Sequence, residues 1–417
     1  MWNARLPLAL LLSAAWLVLA GCQAPIPAGQ TAASPSAATA AAPAASAASA
    51  PDDTVLFRGG LNHTQVLVHY ATNRVPDVSA TGATGRYKGE VDQTLHYGTA
   101  RVSIPRDHRM GELESPSFWR LEFRPNPDKH VMLLSVDPST RDGFYAALSE
   151  LQASEGNARK LVFVHGYNVS FDDAARRAAQ ISYDIGFTGQ PMAFSWPSRA
   201  ALTGYFDDEK AIAASVPAML TFFRELAEQS GPGEIYVLAH SMGNRGTTLA
   251  LAQLFQERPE LRDRFRHILL MAPDIDAEVF KRDIAPVFAR QDDQITLYAS
   301  ANDKALQASR LVHGGPRLGQ ADPIAILPGI ESIDASQVST DLLGHSYYAE
   351  GSSVVSDLVE VVSERGPAAS RSWLEAITSA IGRYFRFKPS TALPTPRATG
   401  LSTPGLPASA ALAGPAR

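Results

Sequence analysis

Cysteine is nearly absent. Cys22 is the only one in 417 residues, so no intramolecular disulfide can form and thiolate zinc sites are excluded. Basic runs are missing as well: no stretch of Lys and Arg interleaves with aromatics, and a net charge of −5 is too mild to suggest a nucleic-acid binder. The ten histidines are scattered and no H-E-x-x-H occurs, so no metal is expected. Neither G-x-G-x-x-G nor a Walker pattern appears, and no cofactor is expected. The apolar run near the start, residues 6–18, is too short to span a bilayer comfortably. What is present is 45% hydrophobic and 19% charged residues, the composition of a globular body with a core of its own.

Charge is uneven along the chain. From Arg365 onward seven basic residues face a lone Glu375, a net +6 that leaves −11 for the rest. An acidic body therefore carries a basic tail. Residues 1–22 read as a signal peptide: Arg5 supplies the positive start, an apolar run follows, and Leu19-Ala20-Gly21-Cys22 closes it. This string resembles the lipobox of bacterial lipoproteins. The resemblance implies that Cys22 becomes the acylated first residue of the mature protein, with palmitate-type chains holding it to a lipid bilayer. Gln23 implies, by the same likeness, the periplasmic side of the outer membrane. Residues 23–51 are nearly all Ala, Pro, Ser, Thr and Gly. With nothing to bury they predict a disordered tether, drawn here over 23–57, and residues 389–417 share that character.

Between the tails, strands are predicted at 64–70, 97–104 and 131–136, with an exposed loop rich in Gly, Thr and Asp before the second. A regular alternation follows: a helix at 139–151, strand 160–164, helix 171–183, strand 191–195, helix 208–228, strand 234–239 and helix 245–255. Strands at 267–271, 294–299 and 331–335 and a helix at 352–364 complete it. The later strands are apolar throughout, as in Leu161-Val162-Phe163-Val164, the pattern of parallel strands covered on both faces. The expected fold class is α/β, a doubly wound, mostly parallel sheet with helices on both faces, in which ligands bind at the carboxyl ends of the strands.

Three of those ends carry chemistry. Strand 234–239 runs into Ala239-His240-Ser241-Met242-Gly243 with a helix directly after. Small residues on either side of a serine permit the sharp turn that exposes its hydroxyl as a nucleophile. Strand 160–164 ends in His165-Gly166-Tyr167-Asn168, where a glycine lets the backbone approach that serine. The amides of Tyr167 and Met242 are then the expected oxyanion hole. Strand 294–299 ends in Ser300-Ala301-Asn302-Asp303, and Gly344-His345-Ser346 follows the last strand. The order Ser241, Asp303, His345 suits a triad, with Asp303 alternatively a helix cap. Asp274 and Asp276, one strand earlier, are rival acids. His313 is a poorer base, because it precedes the final strand.

The stretches F-V-H-G-Y-N-V-S-F, F-S-W-P-S and A-H-S-M-G-N-R resemble an uncharacterised bacterial α/β-hydrolase family. L-L-M-A-P-D-I-D, S-A-N-D-K-A-L and L-L-G-H-S-Y-Y continue the likeness. It implies the α/β-hydrolase fold, here a domain over 58–365, and the triad Ser241, Asp303 and His345, but no substrate. Hydrolysis of an ester or related acyl bond, as in a serine esterase or lipase, is the expected chemistry. A non-catalytic envelope lipoprotein using the fold as a binding module is the alternative. The interval between strands 267–271 and 294–299 holds one helix at most, too little for a large lid. Residues 366–388 read as an amphipathic basic helix: Trp373, Leu374, Ile377, Ile381, Tyr384 and Phe385 share a helical face, to pack on the core or lie on a membrane.

Overall fold

Strands that are buried along their whole length need cover on both sides, and the sheet at the centre of the fold is built from them. The computed structural model describes residues 62–116, 124–155, 159–289, 295–338, 351–364 and 366–388, all within the unit Asp52–Arg417. Cys22, His345 and the tails at 23–57 and 389–417 lie outside the described residues.

β1 (His63–Pro76), β2 (Tyr87–Pro105) and β3 (Met132–Ser139) form an antiparallel meander. Then come α1 (Arg141–Glu155), β4 (Lys160–Val164), α2 (Phe171–Asp184), β5 (Gln190–Ser195), α3 (Tyr205–Gln229), β6 (Ile235–His240), α4 (Gly243–Glu257) and β7 (Phe265–Met271). Short turns α5 (Ala277–Val279) and α6 (Ala285–Phe288) lead to β8 (Ile295–Ala299), α7 (Lys304–His313), β9 (Glu331–Asp334), α8 (Gly351–Glu364), β10 (Leu374–Ser379) and β11 (Gly382–Phe387). Among the described residues these strands make one sheet in the order β10-β11-β9-β8-β7-β6-β4-β5-β1-β2-β3. From β1 through β9 to β11 every neighbouring pair is parallel. The chain has the α/β-hydrolase architecture.

Alternate residues of one strand feed two cores. Val162 and Val164 of β4 and Ile235, Val237 and Ala239 of β6 join the layer built from α3 and α4, including Phe222, Phe223, Leu226, Leu251 and Leu254. Leu161, Phe163, Tyr236 and Leu238 join the opposite layer with Phe171 and Ala175 of α2 and Val355, Leu358 and Val361 of α8. Burial on both faces is what removes the polar alternation from these strands. Between β7 and β8, Phe280, Ile284, Ala285 and Phe288 are packed into the first layer, so this stretch is core, not a lid.

Two sequence expectations change. Much of the exposed loop expected before the second strand is itself strand, because β2 begins at Tyr87 and pairs with β1 as far as Pro76↔Tyr87. Residues 366–388 are no amphipathic helix. They form a short 3₁₀ turn (Ala368–Ser370) and the hairpin β10–β11, and β11 pairs in parallel with β9 through Phe385↔Ile333. The apolar positions fit a period of two as well as 3.6. Gly382, at φ 134 in the hairpin turn, decides for the strand: a helix-interior glycine is unfavourable by about 1 kcal/mol, while the turn calls for one. Trp373, Leu374, Phe385 and Phe387 are buried in the core. Arg371, also buried, pairs with Asp357 (3.2 Å) and Glu331 (3.0 Å) and donates to Thr296 Oγ1 (3.0 Å), fixing the hairpin to α8 and the sheet.

Candidate active site

β6 ends one residue before Ser241, whose φ of 49° lies in the left-handed region. That conformation is costly for a residue with a side chain, so the surroundings must hold it. They do: Ser241 N donates to Met271 O (2.9 Å), and Ser241 O accepts from Asn244 N (3.1 Å), Asn244 Nδ2 (3.1 Å) and Asp274 N (3.2 Å). Asn244 Nδ2 also reaches Met271 O (3.2 Å), stitching the turn to the end of β7. α4 starts at Gly243, so the serine sits at the positive end of a helix. Both glycines of the motifs are there for close approach. A Cβ on Gly243 would overlap His165 O, and one on Gly166 would lie 3.0 Å from Ser241 Cβ and 2.9 Å from His240 Nδ1. The strand-turn-helix elbow and the His165-Gly166 turn therefore touch.

The turn after β4 is held from below. His165 is buried, stacked on Trp196 at 4.9 Å, with Trp196 Nε1 donating to His165 O (2.7 Å) and His165 Nδ1 2.8 Å from Gly166 O. Burial, with the charge of Arg74 beside it, pulls the His165 pKa down to about 3, so the ring stays neutral and serves as structure. Arg74, at the far end of β1 and fully buried, was not singled out from the sequence. It donates to Ser195 Oγ (2.9 Å), Ser198 O (2.9 Å), Val169 O (2.8 Å) and Lys88 O (3.3 Å), and Nη2 lies 3.3 Å from His165 Nε2. Burial lowers its pKa to about 9, partly opposed by Asp208 and Asp172; it remains a cation at neutral pH. Asp208, likewise buried, accepts from Ser198 Oγ (2.6 Å), Arg199 N (2.6 Å) and Asn168 N (3.1 Å). Together they lock the His165–Val169 turn to the Trp196–Arg199 loop. Among the described residues no acceptor takes the amide N–H of Tyr167 or of Met242, the two donors expected for an oxyanion.

The carboxylates separate cleanly. Asp274 is buried and saturated: Oδ1 accepts from Arg317 Nε (2.8 Å) and Ser309 Oγ (2.6 Å), Oδ2 from Arg245 Nη2 (2.9 Å) and Tyr205 OH (2.8 Å). Burial alone would raise its pKa, but Arg245, Ser309, Arg317 and Tyr205 outweigh it and hold the group below the usual carboxylate range. Asp276 caps α5 through the amides of Glu278 and Val279, both 3.0 Å. Asp303 is half-buried at the end of β8 and caps α7, taking Leu306 N on Oδ1 (2.9 Å). Its loop is joined to the one after β9: Ser336 Oγ accepts from Ala301 N (2.7 Å), and Asn302 Nδ2 donates to Ser336 O (2.8 Å). The chain beyond Ser336 leads to His345, outside the described residues. His313 is tied to Glu209 (2.7 Å) and to Ser309 O (2.9 Å) at the end of α7. Among the described residues no group of three or more His, Cys, Asp or Glu is placed to hold a metal ion, and no helix is long and apolar enough to cross a membrane.

A family model described as alpha/beta hydrolase of unknown function (DUF900) matches residues 142–365. Among solved structures the chain is similar to the crystal structure of Aspergillus fumigatus lipase B, with 12% identity and a TM-score of 0.21 over 53% of this chain. It spans 46% of that lipase, and a likeness this remote carries nothing about activity. No curated protein matches.

Proposed function

The chain belongs to this α/β-hydrolase family of unknown function, and from that premise we propose that it is a serine hydrolase that cleaves an ester or related acyl bond. The observation that carries the reading is Ser241, held at φ 49° between the end of β6 and the start of α4 with Gly166 against it. Stored backbone strain at a half-buried serine on a strand-to-helix turn serves reactivity better than packing.

In this mechanism Ser241 Oγ bonds to the acyl carbon while its proton passes to the His345 imidazole. Asp303 orients that imidazole, and the amides of Tyr167 and Met242 receive the oxyanion. Collapse of the tetrahedral species breaks the bond to the leaving group, which takes the proton from His345 and leaves an acyl-serine. Water then attacks the acyl-serine and gives a proton to His345; the bond from Ser241 Oγ to the acyl carbon breaks, His345 returns the proton to Oγ, and the carboxylic acid leaves. Gly243, Asn244, Arg74 and His165 touch no reacting atom; they keep the two turns in register.

A fluorophosphonate probe tests this reading. The protein should gain the mass of one phosphonyl group, and Ser241→Ala should gain none while melting as the parent does. Absence of labelling in the parent would contradict it and favour a binding role for the fold. We also propose that Cys22 is acylated and anchors the protein to the envelope, on the outer-membrane side implied by Gln23. Cys22→Ala should leave the membrane fraction for the soluble one; retention of the processed variant in membranes would contradict the anchor.

A further inference from the structure

Large apolar side chains in full contact with water contribute nothing to the fold, so where they gather beside a reactive group they invite a ligand. Among the described residues Leu202 (81% exposed), Phe206 (60%) and Val312 (53%) are of this kind. They belong to two segments, the loop and first turn of α3 and the end of α7, which meet next to the turn that carries Tyr167. Tyr167 OH donates to Leu202 O, and its ring packs edge-on against Tyr205 at 5.3 Å. Across the join, His313 Nε2 lies 2.7 Å from Glu209, Tyr205 OH is 3.1 Å from Ser309 Oγ, and the rings of Tyr205 and His313 are 6.0 Å apart.

Two further features bear on what would lie there. The loop and the start of α3 carry their own contacts, with Ala200 at φ 52, Gly204 N on Ala201 O (2.9 Å) and Phe206 against Tyr205 at 5.8 Å. The charges beneath it neutralise each other: Arg245 pairs with Glu209 (2.5 Å) and Asp274 (2.9 Å), and Arg317 with Asp274 (2.8 Å). Such a surface suits an uncharged chain better than a phosphate or carboxylate. We propose that Leu202, Phe206 and Val312 form an apolar ledge for the acyl chain of the substrate, so that esters of medium- and long-chain fatty acids are preferred over acetates. This rests on the serine-hydrolase reading and extends it to a substrate class.

The test is the rate on p-nitrophenyl acetate, butyrate, octanoate and laurate, each kept below its aggregation concentration, with the full-length protein. The specificity constant should rise at least ~10-fold from acetate to octanoate, a modest share of what full burial of the added methylenes would give. Leu202→Ser, Phe206→Ser and Val312→Ser should flatten that rise while leaving acetate hydrolysis and probe labelling at the parent level. A flat or acetate-favouring profile in a protein that still labels would overturn the ledge alone. So would a rise that the three variants leave intact, or variants that change only vesicle binding or self-association. Absence of both labelling and hydrolysis would instead overturn the serine mechanism.

Discussion

Asp274 and Asp303 stand on neighbouring loops, after β7 and β8, and on sequence either can be the acid of a triad. Their surroundings differ in kind. Asp274 lies under the surface with two guanidinium groups, a phenol and a serine hydroxyl on its oxygens. It ties α4, through Arg245, to α7, through Ser309, and to Arg317, and has no lone-pair direction to spare for a histidine. Asp303 is half-buried, caps α7 through Oδ1, and its loop is hydrogen-bonded to the one that continues towards His345. A saturated buried carboxylate organises its neighbours; a half-buried one at a strand end, with fewer partners on its oxygens, is the one we propose as the acid that orients His345. The contrast teaches that two carboxylates on neighbouring strand-end loops can be built for different tasks, and that partners, not position alone, tell them apart.

The comparison can be sharpened by removing each member in turn. Asp303→Asn should lower kcat by up to ~10⁴-fold, through the wrong imidazole tautomer, with little loss of stability because Asn also caps helices; steady-state rates and a melting curve check both halves. Asp274→Ala should act the other way round. It strands Arg245 and Arg317 at a buried site and should cost about 3–5 kcal/mol, read from a urea midpoint. Asp276→Ala removes only a cap and should cost about 1 kcal/mol with turnover intact. A site away from both loops supplies a control of charge alone. Burial would lower the pKa of His108, yet Asp184 and Glu114, at 2.7 and 2.8 Å, overcome it and raise the value to about 9 from 6.5. The raised value means that its stabilising contribution is complete below about pH 6.5 and is lost as pH rises through about 9. Urea midpoints should therefore fall over that window in the parent and less in His108→Gln, with no change in the ratio of the Asp303 and Asp274 effects.

How much of this was legible in the chain follows the range of the interactions. The Ser241 elbow and the Gly166 turn are local: a strand, a small residue and a helix within a few positions, so the sequence pattern located them. The doubly wound order was equally plain from strands without polar alternation. Arg74 was not, because its value comes from Ser195, Ser198, Val169 and His165, far along the chain and gathered only by folding. The same holds for Asp208, for Tyr205 and Arg245 around Asp274, and for the part of Trp196 in the F-S-W-P-S stretch, which resembled a family motif without revealing its task. The segment 366–388 was misread for the opposite reason. Its apolar spacing satisfied two periods at once, and the turn glycine and the buried Arg371 pairs settled the choice.

The central claim is an acyl group on Ser241. Rapid quenching of the protein during turnover of a slowly deacylated ester, followed by intact mass and peptide mapping, tests it most directly. The account predicts one acyl group per chain on the peptide that contains Ser241, and neither adduct nor turnover in Ser241→Ala. Turnover without an adduct in the parent, together with near-parent activity in Ser241→Ala, would contradict it.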